Sequence, residues 1–195
     1  MIGALTGTIA EKLPPKLLID VGGVGYDVEA PMSTFYGLPP VGERVRLLIH
    51  QVVREDALLL YGFGSEPERR LFRDLLKVSG VGPRIALAIL SGVSIEVFAQ
   101  LVRGQDVAAL TKVPGVGRKT AERLIVEMRD RLQESQAPVA DSDLPPGSVQ
   151  AEALNALLAL GYKPAEATRL IKLAGDGTQS TEEFIRRALQ IAGRS

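Results

Sequence analysis

Over the first 63 residues, apolar side chains recur at short spacings that suit half-buried strands. Ile2–Ala10, Lys16–Val21, Tyr26–Ala30, Arg44–Val53 and Leu58–Phe63 are rich in β-branched, Leu and aromatic residues. Pro14-Pro15, Gly22-Gly23, Pro39-Pro40 and Gly42 interrupt them as turn signals. Five short strands in about 60 residues predict a small closed barrel, and an OB-like five-stranded barrel fits that count. Arg54-Glu55-Asp56-Ala57 falls between the last two strands and reads as a hairpin tip.

From Ser65 the apolar spacing lengthens to the helical period. Leu71, Phe72, Leu75 and Leu76 mark one face of a helix ending near Lys77. Helical patterns continue to about Gln133, broken at Gly80–Pro83, Gly92, Gly104 and Pro114–Gly117. Residues 134–148 hold almost no large apolar side chains and read as a flexible linker. Residues 149–195 predict three short helices, with Gly161 ending the first, Pro164 opening the second and a Ser180/Glu183 capping box on the third. The expected division is therefore 1–63, 64–133, a linker at 134–148, and 149–195. The fold class is α+β and multidomain: a barrel, an all-α domain, and a three-helix domain on a tether.

Composition narrows the chemistry. The chain of 195 residues has no cysteine and one histidine, which excludes disulfides, thiol nucleophiles, zinc clusters and histidine-based triads. His50, in the fourth strand, reads as a packed or edge histidine. No metal site and no cofactor is expected. The longest apolar run, Ile85–Leu90, is far short of the ~20 residues that span a bilayer, and no signal peptide is visible, so a cytoplasmic protein is expected. Aromatics are scarce, with no Trp, which disfavours a protein that stacks single-stranded bases on aromatic platforms. Net charge is zero, but its distribution is uneven. Residues 1–63 carry five basic and seven acidic side chains, residues 64–135 twelve and nine, and residues 136–195 six and seven. A polyanion should bind the middle segment first.

That segment repeats itself at an offset of 35 residues, each copy reading as a helix, a Gly-hydrophobic-Gly hairpin and a second helix. Val78-Ser-Gly-Val-Gly-Pro-Arg-Ile-Ala86 aligns with Val113-Pro-Gly-Val-Gly-Arg-Lys-Thr-Ala121, with Gly80/Gly115, Val81/Val116 and Gly82/Gly117 in register. Two glycines permit unusual backbone angles and remove the Cβ atoms that would keep a phosphate away. The following helix offers unpaired N–H groups and its positive dipole end to the same spot. Arg84 in one copy, and Arg118 and Lys119 in the other, add charge. Such a site grips phosphates without reading bases. Gly117-Arg-Lys-Thr120 is not a nucleotide-binding P-loop: Gly115 lies only two residues before Gly117, and a helix rather than a strand precedes it. Val21-Gly-Gly-Val-Gly25 joins two strands with no helix after it and reads as a hairpin turn.

This order of barrel, paired hairpins, linker and small helical domain resembles the RuvA family, the Holliday-junction-binding subunits of the bacterial branch-migration complex. The similarity covers nearly the whole chain. It rests on Met1-Ile-Gly3, Val21–Tyr26, Val53–Ala57 with Leu60–Phe63, Gly80–Pro83 through Gly92, Pro114–Gly117 through Met128, and Leu160–Pro164. The resemblance implies a homotetramer, alone or as two tetramers face to face, that holds an open four-way DNA junction during recombination and DNA repair, including the SOS response to DNA damage. It implies a RuvB-type motor ATPase as partner, a junction-resolving nuclease in the same complex, and no catalysis by this chain. Phosphate contacts then fall on Gly80, Val81, Gly82, Arg84, Gly115, Val116, Gly117, Lys119 and Thr120, supported by Arg118 and Arg123. Glu55 and Asp56, from the residues alone two solvated charges, become an acidic pin at the junction centre. Leu157, Leu160, Tyr162, Ala167 and Leu189 become candidates for exposed apolar contacts to the motor, although the same residues would also serve as the core of a small bundle.

Two other readings use the same residues. Helix–hairpin–helix elements occur in glycosylases and other DNA repair enzymes, but Glu122, Glu127 and Asp130 alternate with Arg123, Arg129 and Arg131 as on a solvated helix face. A general duplex-binding protein needs neither an acidic hairpin nor a tethered domain.

Overall fold

The computed structural model describes residues 1–136, 148–175 and 180–193. Strands β1 (Ala4–Leu13), β2 (Lys16–Val21), β3 (Val24–Glu29), β4 (Arg44–Val53) and β5 (Leu58–Phe63) close into a barrel in the order β1-β2-β3-β5-β4. The closing β3–β5 contact is parallel, through Glu29 opposite Tyr61. Two expected strands shift. The first runs to Leu13 rather than Ala10, because a register break between Ile9 and Glu11 lets the charged Glu11-Lys12 stretch continue pairing with β2. The third starts at Val24 and ends before Ala30, since Gly25 keeps its ladder place opposite Asp20.

A five-residue helix, α1 (Met32–Tyr36), was absent from the sequence reading; one turn is too short to display a 3.6-residue period. It buries Thr34 and Phe35, and Phe35 joins Leu5, Leu17, Ile19, Val28, Leu47 and Ile49 in the barrel core.

The helical segment comprises α2 (Glu66–Leu75), α3 (Pro83–Gly92), α4 (Ile95–Arg103), α5 (Val107–Leu110) and α6 (Arg118–Gln136). Side chains of Ser65, Ser94 and Asp106 accept from the N–H groups of Glu68, Val97 and Ala109, so three helix starts are capped locally. Its core includes Phe72, Leu75, Ile89, Phe98, Leu110 and Leu124, and it takes in Tyr61 and Phe63 of β5. Phe72 lies 4.9 Å from Phe63 and 5.1 Å from Tyr61, ring centre to ring centre. The boundary expected after Phe63 thus separates elements that share one core, and residues 1–135 form a single compact unit.

Polar links reinforce that join. Buried Thr34 accepts from Gly64 N–H at 3.1 Å and donates to Glu68 Oε2 at 3.1 Å. Arg69 donates to the carbonyls of Gly3 (2.8 Å) and Ile49 (3.3 Å), and Met32 N–H donates to Ser91 Oγ at 3.0 Å. His50 accepts from Arg73 Nε at 3.3 Å and meets the Phe72 ring edge-on. Burial, together with Arg73 and Arg69, holds its imidazole below the ordinary histidine value.

Residues 136–195 form a second compact unit, built from α7 (Val149–Ala159), α8 (Pro164–Ala174) and α9 (Thr181–Ala192). Ser148 and Ser180 cap α7 and α9, and Gly161 takes a positive φ of 94° just after α7. Its core is Ala153, Leu154, Leu157, Ala167, Leu170, Ile171, Ala174, Phe184 and Ala188. Helix α6 extends to Gln136, three residues into the expected linker, and Ser148 belongs to α7 as its cap; residues 137–147 lie outside the described residues. No single described helix is long and apolar enough to cross a membrane.

Candidate nucleic-acid interface

The two hairpins have the same backbone. In the first, Val78 N–H donates to Leu75 O (3.0 Å) and Val81 N–H to Val78 O (3.0 Å). In the second, Val113 N–H donates to Leu110 O (3.2 Å) and Val116 N–H to Val113 O (3.0 Å). Gly80 and Gly115 both sit at φ 86°, a region that L side chains avoid. Val81 and Val116 are buried in the helical core. Their side chains face inward and their N–H groups bond within the turn, so they anchor the hairpins.

Gly82 and Gly117 differ in kind from Gly80 and Gly115. Gly82 has φ −94° and ψ 175°, extended backbone open to any residue, and a Cβ added at Gly82 or Gly117 would meet nothing within 4 Å. Neither the backbone nor the packing requires glycine there. Open space in front of each is where a bulky group can approach the chain. The first helical bonds are donated by Ala86 to Gly82 O (3.0 Å) and by Ala121 to Gly117 O (2.9 Å). The N–H groups of Gly82, Arg84 and Ile85, and of Gly117, Arg118, Lys119 and Thr120, therefore lack an intrahelical acceptor and form two donor clusters. Pro83 interrupts the first cluster, having no N–H.

Side chains around the hairpins are basic and exposed. Arg84, Arg118, Lys119 and Arg123 all reach solvent, whereas Thr120 is half-buried. Arg118 Nε donates to Glu122 Oε1 at 3.0 Å, which offsets part of its charge. Arg123 crosses from α6 to the first hairpin, where Nη1 lies 3.5 Å from Ser79 Oγ. In return, Ile85 of α3 packs 3.5 Å from where a Gly115 Cβ would stand. Each hairpin is thus braced by the second helix of the other repeat. Ser79 was missed in the sequence because it matches a proline, Pro114, in the aligned copy.

On the barrel, Glu55 and Asp56 occupy the bend between β4 and β5, closed by Arg54 N–H to Ala57 O at 2.8 Å, and both are exposed. Below them Val53 (69% exposed) pairs with Leu58 (67% exposed) across the ladder. Among the described residues no group of three or more His, Cys, Asp or Glu side chains could hold a metal ion.

The apolar residues expected on the surface of the last unit divide. Leu157 and Ala167 are fully buried, which corrects their assignment as exposed contacts: helix packing in so small a bundle consumes them. Leu160 is 61% exposed, and Tyr162 and Leu189 are partly buried against the core. Leu173, which the sequence did not single out, is 52% exposed on α8.

Comparison with known proteins bears on the whole chain. Residues 1–62 match the family described as RuvA N terminal domain, residues 72–130 a SAM-like helix-hairpin-helix tandem, and residues 148–193 the RuvA C-terminal domain. A protein of Xanthomonas euvesicatoria pv. vesicatoria named Holliday junction branch migration complex subunit RuvA is 55% identical over 196 residues, covering all of both chains. The chain belongs to the RuvA family. RuvA proteins of Alkalilimnicola ehrlichii (52% over 209 residues, all of both chains) and Pseudomonas fluorescens (50% over 199 residues, 97% of this chain and 98% of the relative) bear the same name. Against that family background, the barrel, the paired hairpins and the three-helix unit of this chain account for each matched segment in turn.

Proposed function

We propose that this RuvA-family chain is the DNA-binding, non-catalytic subunit of a branch-migration complex, and that it binds four-way junctions by structure rather than by sequence. The observation that carries this is the pair of hairpins with matching turn bonds whose glycines at 82 and 117 face open space beside unpaired N–H groups and exposed basic side chains. Backbone donors hold phosphates of any sequence. Gly80, Gly82, Arg84, Gly115, Gly117, Lys119 and Thr120 form the gripping set, with Arg118 and Arg123 in support.

One chain with two hairpins binds duplex weakly. A homotetramer brings eight, and Glu55 and Asp56 from four chains then concentrate negative charge at the crossover. Phosphates are repelled from that point, which favours separated strands there and disfavours a continuous duplex across it. Hydrolysis of ATP belongs to a RuvB-type motor partner. The exposed Leu160 and Leu173, and the half-buried Tyr162 and Leu189, supply apolar surface for that partner, and covalent attachment to the hairpin unit raises its effective concentration at the junction. A junction-resolving nuclease acting in the same complex and a cytoplasmic location complete the reading.

The test is a gel-shift comparison of wild type with Glu55→Gln/Asp56→Asn on a four-way junction and on matched linear duplex. Neutralising the pin should raise duplex affinity and leave junction affinity intact or stronger. A collapse of junction binding would make the two acids structural.

A further inference from the structure

Between the barrel and the first hairpin, within the unit of residues 1–135, lies a cleft of about 840 Å³. Its polar lining includes Glu29, Arg54, Tyr61 and Arg84, and Pro15, Pro83 and Ile85 contribute apolar wall. Tyr61 is 4% exposed, its ring held against Phe72, and its hydroxyl has no hydrogen-bond partner among the described residues. The hydroxyl is not sealed off, because among the described residues Arg69 Nε is the one side-chain atom both sealed and unpartnered. Burial pushes the Tyr61 phenol upward; Glu29, opposite it in the β3–β5 pair, adds to that shift and Arg54 opposes it. Among the described residues none of Glu29, Arg54 and Arg84 belongs to an ion pair.

This combination suits a particular occupant. The carboxylate would repel a bare phosphate, and a duplex is too wide for a pocket of this size. A single nucleotide has apolar faces, an edge carrying both donors and acceptors, and a negative phosphate on either side. We propose that the cleft holds an unpaired nucleotide of the DNA strand leaving the first hairpin, its base edge on Glu29 and Tyr61 and its flanking phosphates on Arg54 and Arg84. This rests on the junction-binding reading above, and the cleft is continuous with it through Gly82, Pro83 and Arg84. The walls are aliphatic, and the Tyr61 ring is already packed against Phe72 within the core. Without an aromatic platform, the site captures a base that strand separation has already freed and does not pull one from an intact stack.

Two measurements test this with the full-length protein. A single-stranded trinucleotide containing 2-aminopurine should bind saturably, and Tyr61→Phe and Glu29→Gln should each weaken it about fivefold, the effect of one lost hydrogen bond. Linear-duplex affinity and thermal midpoint should stay at wild-type values. A 5-iodouracil trinucleotide should photocrosslink to peptides containing Tyr61 or residues 82–91, a readout that needs no variant. In a four-way junction, 2-aminopurine at the crossover should brighten on binding and 2-aminopurine in an arm should not, with the crossover signal reduced in both variants. Wild-type trinucleotide binding by both variants, or crosslinks elsewhere, would overturn the assignment. If the trinucleotide behaves as expected while the protein shows no preference for junctions over duplex, the cleft stands and the junction reading falls.

Discussion

The two hairpins share a backbone and differ in the chemistry attached to it. Both place a glycine at φ 86°, bury the next valine, and open a helix from an unobstructed glycine. After that they part. The first continues Pro83-Arg84, lacks one N–H donor, and borders the cleft beside the barrel. The second continues Arg118-Lys119-Thr120, keeps every donor, and has part of its charge offset by Glu122. The shared backbone offers one way of approaching a phosphate, and the residues after it set the donors and charge that each copy presents. In the proposed reading the second copy serves for grip, and the first for placing a strand next to the barrel.

The largest contrast should come from the glycines themselves. Gly82→Val and Gly117→Val should each weaken junction binding about tenfold or more, through lost backbone–phosphate bonds, with little change in thermal midpoint. Gly80→Ala and Gly115→Ala should instead destabilise the fold by about 1 kcal/mol or more, since a Cβ at φ 86° is strained. Denaturant titration alongside gel shifts separates the two classes. Equal stability losses at all four positions would abolish the distinction between turn glycines and contact glycines.

A smaller effect should follow from making one hairpin resemble the other. Arg118→Pro removes an N–H donor that Arg118→Ala retains, at a first-turn position where proline is tolerated. Arg118→Pro should therefore bind junctions several-fold more weakly than Arg118→Ala. Equal affinities would mean that this amide does not face the DNA. Smaller again is the charge contribution. Lys119→Gln should lower the magnitude of the salt slope by about one per affected phosphate contact, whereas Glu122→Gln, by releasing Arg118, should raise affinity slightly at low salt.

The smallest expected effect treats both hairpins alike. His50 titrates below its ordinary value of 6.5 in the folded protein, so the unfolded chain takes up protons first as pH falls. Its contribution to stability is complete above pH 6.5 and is lost as pH drops through the lowered native value. Thermal midpoints of wild type and His50→Gln should converge over that window, with no change in the relative use of the hairpins.

Much of this architecture could be read from the residues, for identifiable reasons. Repetition at about 35 residues exposed both hairpins because the same backbone problem was solved twice with the same glycines. Ser180 and Gly161 marked helix ends because they act locally, whereas Ser148, expected in the linker, caps α7. What stayed hidden depends on distant partners. Helix α1 is one turn long and owes its place to Phe35 filling the barrel. The Thr34–Glu68 link joins residues 34 apart in sequence, and Arg123 reaches Ser79 from 44 away. In the three-helix unit the sequence located the apolar residues but not their sides, so Leu157 and Ala167 turned inward while Leu173 turned out. The cleft was invisible because Glu29, Tyr61 and Arg84 come together only when the barrel and α3 share a core.

The most direct measurement is a gel-shift titration of the full-length protein on a synthetic four-way junction and on linear duplex of matched sequence, across several salt concentrations. Eight hairpins neutralising about one phosphate each predict a slope of log K against log salt of roughly −7 on the junction, with junction preference surviving moderate salt. Equal binding to both DNAs, with a slope of roughly −2, is what two hairpins on a single chain would give and would contradict a multivalent, structure-specific clamp.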